Sequence, residues 1–544
     1  MRMNLLARIY AILLPDERKK GCRMVLSAFL SALLDFMGLA ALLPVLYYLL
    51  DGGEQSDAAL QFCLLAIGVI LMKSVLSTCF VRYQNQCLLS FYKRLSFSLY
   101  SSYYDRGLLF IREQGSSKLA FQINSMCYAF SHSLLSPIFR MMGDFLLIVL
   151  VTIALWVWNG KTVMLLYVSF IPFMCIYFFF VRKRVRKYGT DDMNAKREQS
   201  RIVMDTFRGY AELEVNGAFP AMQSAFLCGI DRIGRNRMKL DTLVKLPMFL
   251  SELSVVLALG VLVTWGNGDV GMLVGIFALA AFRLLPALRS VLLGWTQIQN
   301  AMCCLDVIEE GLSGYEQECE QEITFERNIN IVKLSYEYPD SELILKEFDC
   351  RITKGEYVGF CGSSGIGKST LFNLLIGLIE PNSGHIRVDD TLLTKATRKS
   401  WMNQIGYVPQ EVFIFKGTLA ENIAIGCKAI DYNRINELLT KVSLDNWVQS
   451  LPDGIHTQLG EAGSKLSGGQ KLRIGLARAL YRNVSVLFLD EATSALDNDT
   501  EKEINRALLQ WKEEDKGLTI LSIAHRESSL QYCNRIITLK DGKE

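Results

Sequence analysis

Six stretches in the first part of the chain are too apolar for a water-soluble fold to accommodate together. They lie at 24–50, 59–81, 139–158, 163–181, 247–265 and 272–293. Each is close to the roughly 20 residues a helix needs to cross a bilayer. None alternates with the two-residue period of a barrel strand, so helices, which satisfy their own backbone groups, are the spanning form left. Loop charge then sets orientation. The loop after the second stretch carries Arg82, Lys93, Arg94, Arg106, Arg112 and Lys118. The loop after the fourth carries Arg182, Lys183, Arg184, Arg186, Lys187, Lys196, Arg197 and Arg201, with further cations from Arg232 to Lys239. The remaining loops are short and neutral or acidic. Both termini are therefore expected in the cytoplasm. The two basic loops are long, and their periodicity predicts helices that run on beyond the membrane.

The start of the chain is not a convincing signal peptide, because its apolar core is short and charges follow from Asp16 to Lys20. It reads as an interfacial helix with Leu5, Leu6, Ile9 and Leu13 as its apolar face. The net charge of +3 gives no argument for a nucleic-acid partner. The 14 cysteines form no C-x-x-C pair and no zinc-spaced cluster, so they read as small apolar residues of spans and of a reduced cytosolic domain.

From about Ile323 onward the chain changes character. Short apolar runs alternate with helical patterns, which predicts an α/β core with parallel strands. The division expected is a 1–20 interfacial segment, a 21–304 membrane domain, an acidic and irregular 305–322 linker, and a 323–544 soluble domain. The fold class expected is a polytopic α-helical membrane domain of six transmembrane helices fused to an α/β domain, which the motifs that follow make a P-loop ATPase domain.

The soluble part carries the chemistry. After the apolar run Tyr357–Cys361 comes G-x-x-x-x-G-K-S: Gly362, Ser363, Ser364, Gly365, Ile366, Gly367, Lys368 and Ser369, with Thr370 opening an apolar helix. Strand, glycine-rich loop and helix together make a phosphate-binding loop. The glycines let backbone N–H groups converge on phosphate oxygens. Lys368 brings a charge for the β- and γ-phosphates of ATP, and Ser369 is a Mg²⁺ ligand. Further on, four apolar residues end in Asp490 and Glu491. A buried strand delivering two acids at its C-terminal end suits a metal-and-water site, with Asp490 in the Mg²⁺ shell and Glu491 activating the attacking water. Between the two lies a second glycine-rich loop, Ser467, Gly468, Gly469 and Gln470, which opens a second helix and offers another anion cradle. One nucleotide does not need both cradles. The second therefore serves a nucleotide held by another copy of the chain.

At this point residues 331–541 resemble the nucleotide-binding domain of ABC transporters, for which L-S-G-G-Q is the family's most specific marker. The whole chain resembles an ABC exporter half-transporter. The resemblance implies further roles: Gln410 touching Mg²⁺ and sensing the γ-phosphate, His525 contacting that phosphate, and Tyr338 stacking on adenine. It also implies that 494–497 joins the two sites of a homodimer, and that 460–463, with Glu461, lies near the membrane interface. The location implied is a bacterial inner membrane.

Cargo is less legible, because the motor's chemistry does not name it. Ionisable residues inside the apolar stretches cost about 2.5–3.5 kcal/mol each at a helix centre. They are Asp35, Asp144, Glu252, Arg283 and Arg289. The acids read as structural and the two arginines as bordering a cavity. The wording of the first and last stretches, with an acid and a proline in one and Arg-x-x-Pro in the other, resembles bacterial flippases of lipid-linked oligosaccharides. That implies an amphipathic anionic glycolipid as cargo. Peptide, lipid A and drug exporters are the competing readings within transport, and a mechanical or regulatory ABC ATPase is the competing reading outside it.

Overall fold

In this computed structural model, residues 5–50, 57–158, 160, 164, 182–265, 270–313, 320–339, 343–460, 463, 466–491, 498–514, 517–524 and 530–540 are described. The chain divides into two compact units, Met1–Tyr315 and Glu316–Glu544.

The first unit is helical throughout its described part. Its longest members are Asp57–Asp105, Phe219–Trp265 and Val270–Leu312. The 49 residues of Asp57–Asp105 span about 70 Å at about 1.5 Å per residue. That is roughly twice the hydrocarbon thickness of a bilayer, so the helix outruns its apolar half, as the basic loops predict. Four segments of the described residues are long and apolar enough to cross a membrane: Pro15–Val45, Leu60–Asp105, Ser116–Val157 and Phe277–Leu312. These contain or overlap four of the expected stretches. The stretch at 247–265 lies in helix Phe219–Trp265, and 163–181, apart from Met164, lies outside the described residues.

Three expectations are corrected. The stretch 24–50 is not one helix: Pro15–Ala40 ends and Leu43–Leu50 begins anew. Pro44 lacks an N–H, and its ring opposes the carbonyl four residues earlier, so the helix cannot continue through it. The second correction concerns the start of the chain. Of its apolar face, Ile9 and Leu13 are buried in protein, packed with Met24, Phe91 and Leu305 among others, with Leu5 against them. Leu6 faces outward. Arg8 fixes this placement by reaching both Asp306 and Glu309 at 2.6 Å. The third is that helix Val270–Leu312 continues into 305–312, the first part of the stretch read as an irregular linker.

The second unit holds two sheets. One is antiparallel, in the order β2-β1-β4-β5 (β1 Asn328–Glu337, β2 Leu343–Thr353, β4 Ser383–Val388, β5 Thr391–Leu392). The other is parallel, in the order β6-β7-β8-β3-β9 (β3 Tyr357–Cys361, β6 Ile405–Val408, β7 Val486–Asp490, β8 Thr519–Ile523, β9 Arg535–Thr538). All residues of β7 and β8 are buried, the mark of a parallel sheet covered on both faces. Phe372, on helix Lys368–Ile376, stands edge-on to Phe360 of β3 and to Phe488 of β7, at 5.7 and 5.2 Å between centroids. That aromatic stack ties the helix after the glycine loop to the strand that delivers the acids.

Candidate nucleotide site

The loop after β3 is built by glycine geometry. Gly362, Gly365 and Gly367 have φ of 146°, 84° and 107°, which L side chains rarely adopt. A Cβ on Gly367 would stand 2.6 Å from Ile344 Cγ2, and one on Gly362 would stand 2.9 Å from Leu539 O. The loop therefore closes against β2 and the end of β9 only without side chains there. Gly367 caps helix Lys368–Ile376, whose first N–H groups aim into the loop. Lys368 is 5% exposed, and its Nζ donates to Gly362 O and Ser363 O, both at 2.9 Å. Burial pushes its pKa below the usual lysine value, while Glu491 and Asp490 counter that shift. Ser363, Ser364 and Gly365 are exposed at the tip, and Ile366 N donates to Ser363 O.

The acids arrive from β7. Asp490 is buried, and its Oδ1 accepts from Ser369 Oγ at 3.1 Å. Burial pushes the Asp490 carboxyl up; Ser369 opposes this and the charge of Glu491 adds to it. Glu491 has φ of 51°, a left-handed conformation uncommon outside glycine and asparagine and typical of over-determined functional positions. Gln410, two residues past β6, donates through Nε2 to Glu491 Oε2 at 2.9 Å. The C-terminal ends of β3, β6 and β7 thus gather Lys368, Ser369, Gln410, Asp490 and Glu491 at one sheet edge. The hydroxyl, carboxylate and amide oxygens of Ser369, Asp490 and Gln410 are hard donors of the kind Mg²⁺ takes.

Tyr338 follows β1, and its hydroxyl lies 3.3 Å from Thr370 Oγ1. Its ring stands edge-on to Tyr336, 5.0 Å between centroids. Ser467 caps helix Gly468–Tyr481: its Oγ accepts from Gln470 N at 3.2 Å, and its N–H donates to Gln470 Oε1 at 2.9 Å. This is a complete capping box. Ser467 and Gly468 are exposed, and Gly469 and Gln470 are half-buried. His525, 494–497 and Glu461 lie outside the described residues.

One residue escaped the sequence reading. Arg478, on the helix opened by Ser467, donates through Nη1 to Phe413 O at 2.9 Å and through Nε to Asn422 O at 2.8 Å. Burial lowers its pKa to about 10. It ties that helix to the chain just past Gln410. The available signal was a single cation in the apolar run from Ile474 to Tyr481.

A family model described as "ABC transporter" matches residues 345–494. An ATP-dependent lipid A-core flippase of Ralstonia nicotianae is 31% identical over 383 residues, 67% of this chain and 63% of that protein. An uncharacterized ABC transporter ATP-binding protein of Bacillus subtilis, YwjA, is 42% identical over 215 residues, 40% of this chain and 37% of that protein. The matched segments therefore span less than two thirds of these relatives' own length. A solved bacterial Atm1-family ABC exporter with ATP bound matches with a TM-score of 0.83 at 21% identity, over 96% of this chain and 94% of that one. That likeness establishes the fold.

Proposed function

This chain belongs to the ABC transporters, a helical domain joined to an ABC ATPase domain in the exporter fold, and on that premise we propose that two copies pair as an ATP-driven exporter of an anionic glycolipid. The observation that carries the pairing is the fully capped cradle at Ser467–Gln470, exposed at Ser467 and Gly468, in a chain that already holds a complete phosphate loop of its own. Each nucleotide is then held by the loop of one copy and covered by the cradle of the other.

In that arrangement the N–H groups of 363–370 and the ammonium of Lys368 bind the phosphates, and Tyr338 stacks on adenine. Ser369, Gln410 and Asp490 would hold Mg²⁺, which neutralises phosphate charge when bound. Glu491 takes a proton from the attacking water, positioned for this by its hydrogen bond from Gln410. His525 contacts the γ-phosphate. Functionally the chain divides as 1–20, 21–304, 305–322 and 323–544, with the last helix of the second part running on to Leu312, in a bacterial inner membrane with both termini cytoplasmic.

The cargo reading rests on charge and relatives. Asp35 is shared by two cations, Lys73 at 2.5 Å and Arg283, and Asp144 stands within charge range of Arg283. Arg289 pairs with Glu252 at 2.7 Å, so both arginines have acidic partners rather than standing open to a cavity. Cations held inside apolar helices suit a phosphate-bearing lipid. Relatives named lipid A-core flippases favour the glycolipid class. Within that class a lipid-linked oligosaccharide is our choice, on the acid and proline of the first stretch and Arg283-x-x-Pro286 of the last. ATPase activity in liposomes tests it: a polyprenyl-pyrophosphate oligosaccharide should stimulate turnover more than lipid A, peptides or plain phospholipid. Preferential stimulation by lipid A would replace our choice, and by a peptide would sink the class.

A further inference from the structure

The foot of the first long helix carries a feature that neither nucleotide turnover nor cargo passage uses. Helix Leu5–Ile12 turns Ile9 into the helical core, followed by Leu13, and leaves Leu6, Tyr10 and Leu14 at 66%, 58% and 52% exposure. Arg18 folds back over it, its guanidinium 3.9 Å from the centroid of the Tyr10 ring. The described side-chain hydrogen bonds of Arg18, to Leu13 O at 2.9 Å and Tyr10 O at 3.2 Å, both go through Nε. Its Nη donors remain for another acceptor. The Lys19 side chain is 75% exposed, with only a loose pair to Asp16 at 3.8 Å, and Asp16 itself is 90% exposed. The other nearby acid, Glu17, is taken up by Arg94 at 2.6 Å. A groove of about 510 Å³ opens among Tyr10, Pro15, Arg18, Lys19, Cys22 and Arg23.

What lies above the groove decides what fits it. Leu26, Leu30, Leu33 and Met37 are exposed on helix Pro15–Ala40. At about 100° per residue they lie within about 40° of one line that also passes through Lys19. A basic groove therefore sits at the foot of an apolar stripe, where the chain passes from its cationic start into its first span. A free phosphate would use only the groove. A phospholipid uses both, and cations at this boundary attract the anionic lipids of the cytoplasmic leaflet.

We propose that Tyr10, Arg18, Lys19 and Arg23 bind the headgroup of an anionic phospholipid, with its acyl chain laid along Leu26, Leu30 and Leu33. The occupant is a lipid of the surrounding membrane, outside the path of the cargo.

The test is native mass spectrometry of the full-length protein titrated with phosphatidylglycerol and with phosphatidylcholine of the same chain length. Each cation removed should weaken phosphatidylglycerol binding about fivefold, so R18Q/K19Q/R23Q should lose about 100-fold with phosphatidylcholine unchanged. The charge-conserving R18K/K19R/R23K should bind as the parent does. Should the triple variant not fold, K19Q, at an exposed position, should still show the single fivefold loss. Inorganic phosphate at the lipid's concentration should not displace it. Neutral variants that bind phosphatidylglycerol within twofold of the parent overturn the site, and displacement by inorganic phosphate overturns the lipid as its occupant.

Discussion

If the cradle at Ser467 serves the partner's nucleotide, two defective chains should repair each other. The perturbations are Ser467→Arg in one chain and Lys368→Ala in another. Ser467→Arg removes the hydroxyl that accepts from Gln470 N at 3.2 Å. Losing an N-cap costs about 1 kcal/mol. Helix Gly468–Tyr481 buries Leu472, Ile474 and Leu476, each worth about 1.5–3 kcal/mol, so the domain folds. Its own phosphate loop is untouched, and ATP affinity stays near the parent's. Lys368→Ala removes a buried ammonium whose hydrogen bonds to phosphate are worth about 1.5–3 kcal/mol, a loss of about 10- to 150-fold in affinity. Neither homodimer turns over ATP. Mixed one to one, about half of randomly formed pairs contain both chains, each with one intact site of two, so steady-state ATPase should return to about a quarter of the parent's. A mixture as inactive as its components would refute the shared site. So would an ATP affinity in Ser467→Arg that falls as far as in Lys368→Ala, because the cradle would then belong to its own chain's nucleotide.

Glu491→Gln should keep ATP binding and lower turnover by about 10²–10⁴-fold; near-normal steady-state ATPase would remove Glu491 from the base role. Arg283→Ala should impair glycolipid movement in a flipping assay more than it impairs basal ATPase, and equal losses would mark the Asp35–Arg283 pair as structural only. Asp389 accepts from three successive N–H groups, of Glu326, Arg327 and Asn328, at 2.7–2.8 Å. Its burial raises the carboxyl pKa, but the three N–H groups outweigh that and hold it below the usual range. Such a depressed group stabilises the fold at pH values above the unfolded carboxylate value of about 3.9, and the contribution is lost as pH falls through the lower folded value. Asp389→Asn should therefore lower stability by about 1–2 kcal/mol at neutral pH, with the gap closing in acid. A gap unchanged at low pH in denaturant titrations would contradict the charge argument.

The candidate nucleotide site was legible because its residues are written in contiguous runs. Tyr357 to Thr370 carries strand, glycine loop and helix start in one run, and Val486 to Glu491 carries a strand and its two acids, so neighbours in sequence place each functional group. What escaped depends on partners far away in the chain. The sign of φ at Glu491 is imposed by its surroundings and not by the residue. The grip of Arg478 on Phe413 and Asn422 spans 65 and 56 positions. The antiparallel sheet was missed because β1 pairs with β4 across about 50 residues of intervening P-loop and helix.

In the helical unit the same logic cuts the other way. Periodicity locates apolar helices, yet which ionisable residues meet is a property of packing. Lys73 was passed over inside a stretch read only for hydrophobicity, and it is the residue that changes the reading of the others. Gly38 admits it: a Cβ there would meet Lys73 Cδ at 3.2 Å. The lysine's stem lies against helix Pro15–Ala40, and its ammonium reaches Asp35 at 2.5 Å, where Arg283 also ends. An acid at mid-helix that looked like an isolated structural charge thus holds two cations from two other helices. Asp144, on helix Ser136–Trp158, stands within charge range of both Asp35 and Arg283, so two acids face two cations. Arg283 already has an acid partner, so under the proposed function an anionic group entering between these helices would draw on Lys73 and Arg283 only as Asp35 gives them up. On that reading, acid partners would make this group more selective than two open arginines would be. Under the proposed cargo, a weakly charged amphiphile would not displace a carboxylate already in contact, whereas a doubly charged pyrophosphate would offer each cation a partner of its own.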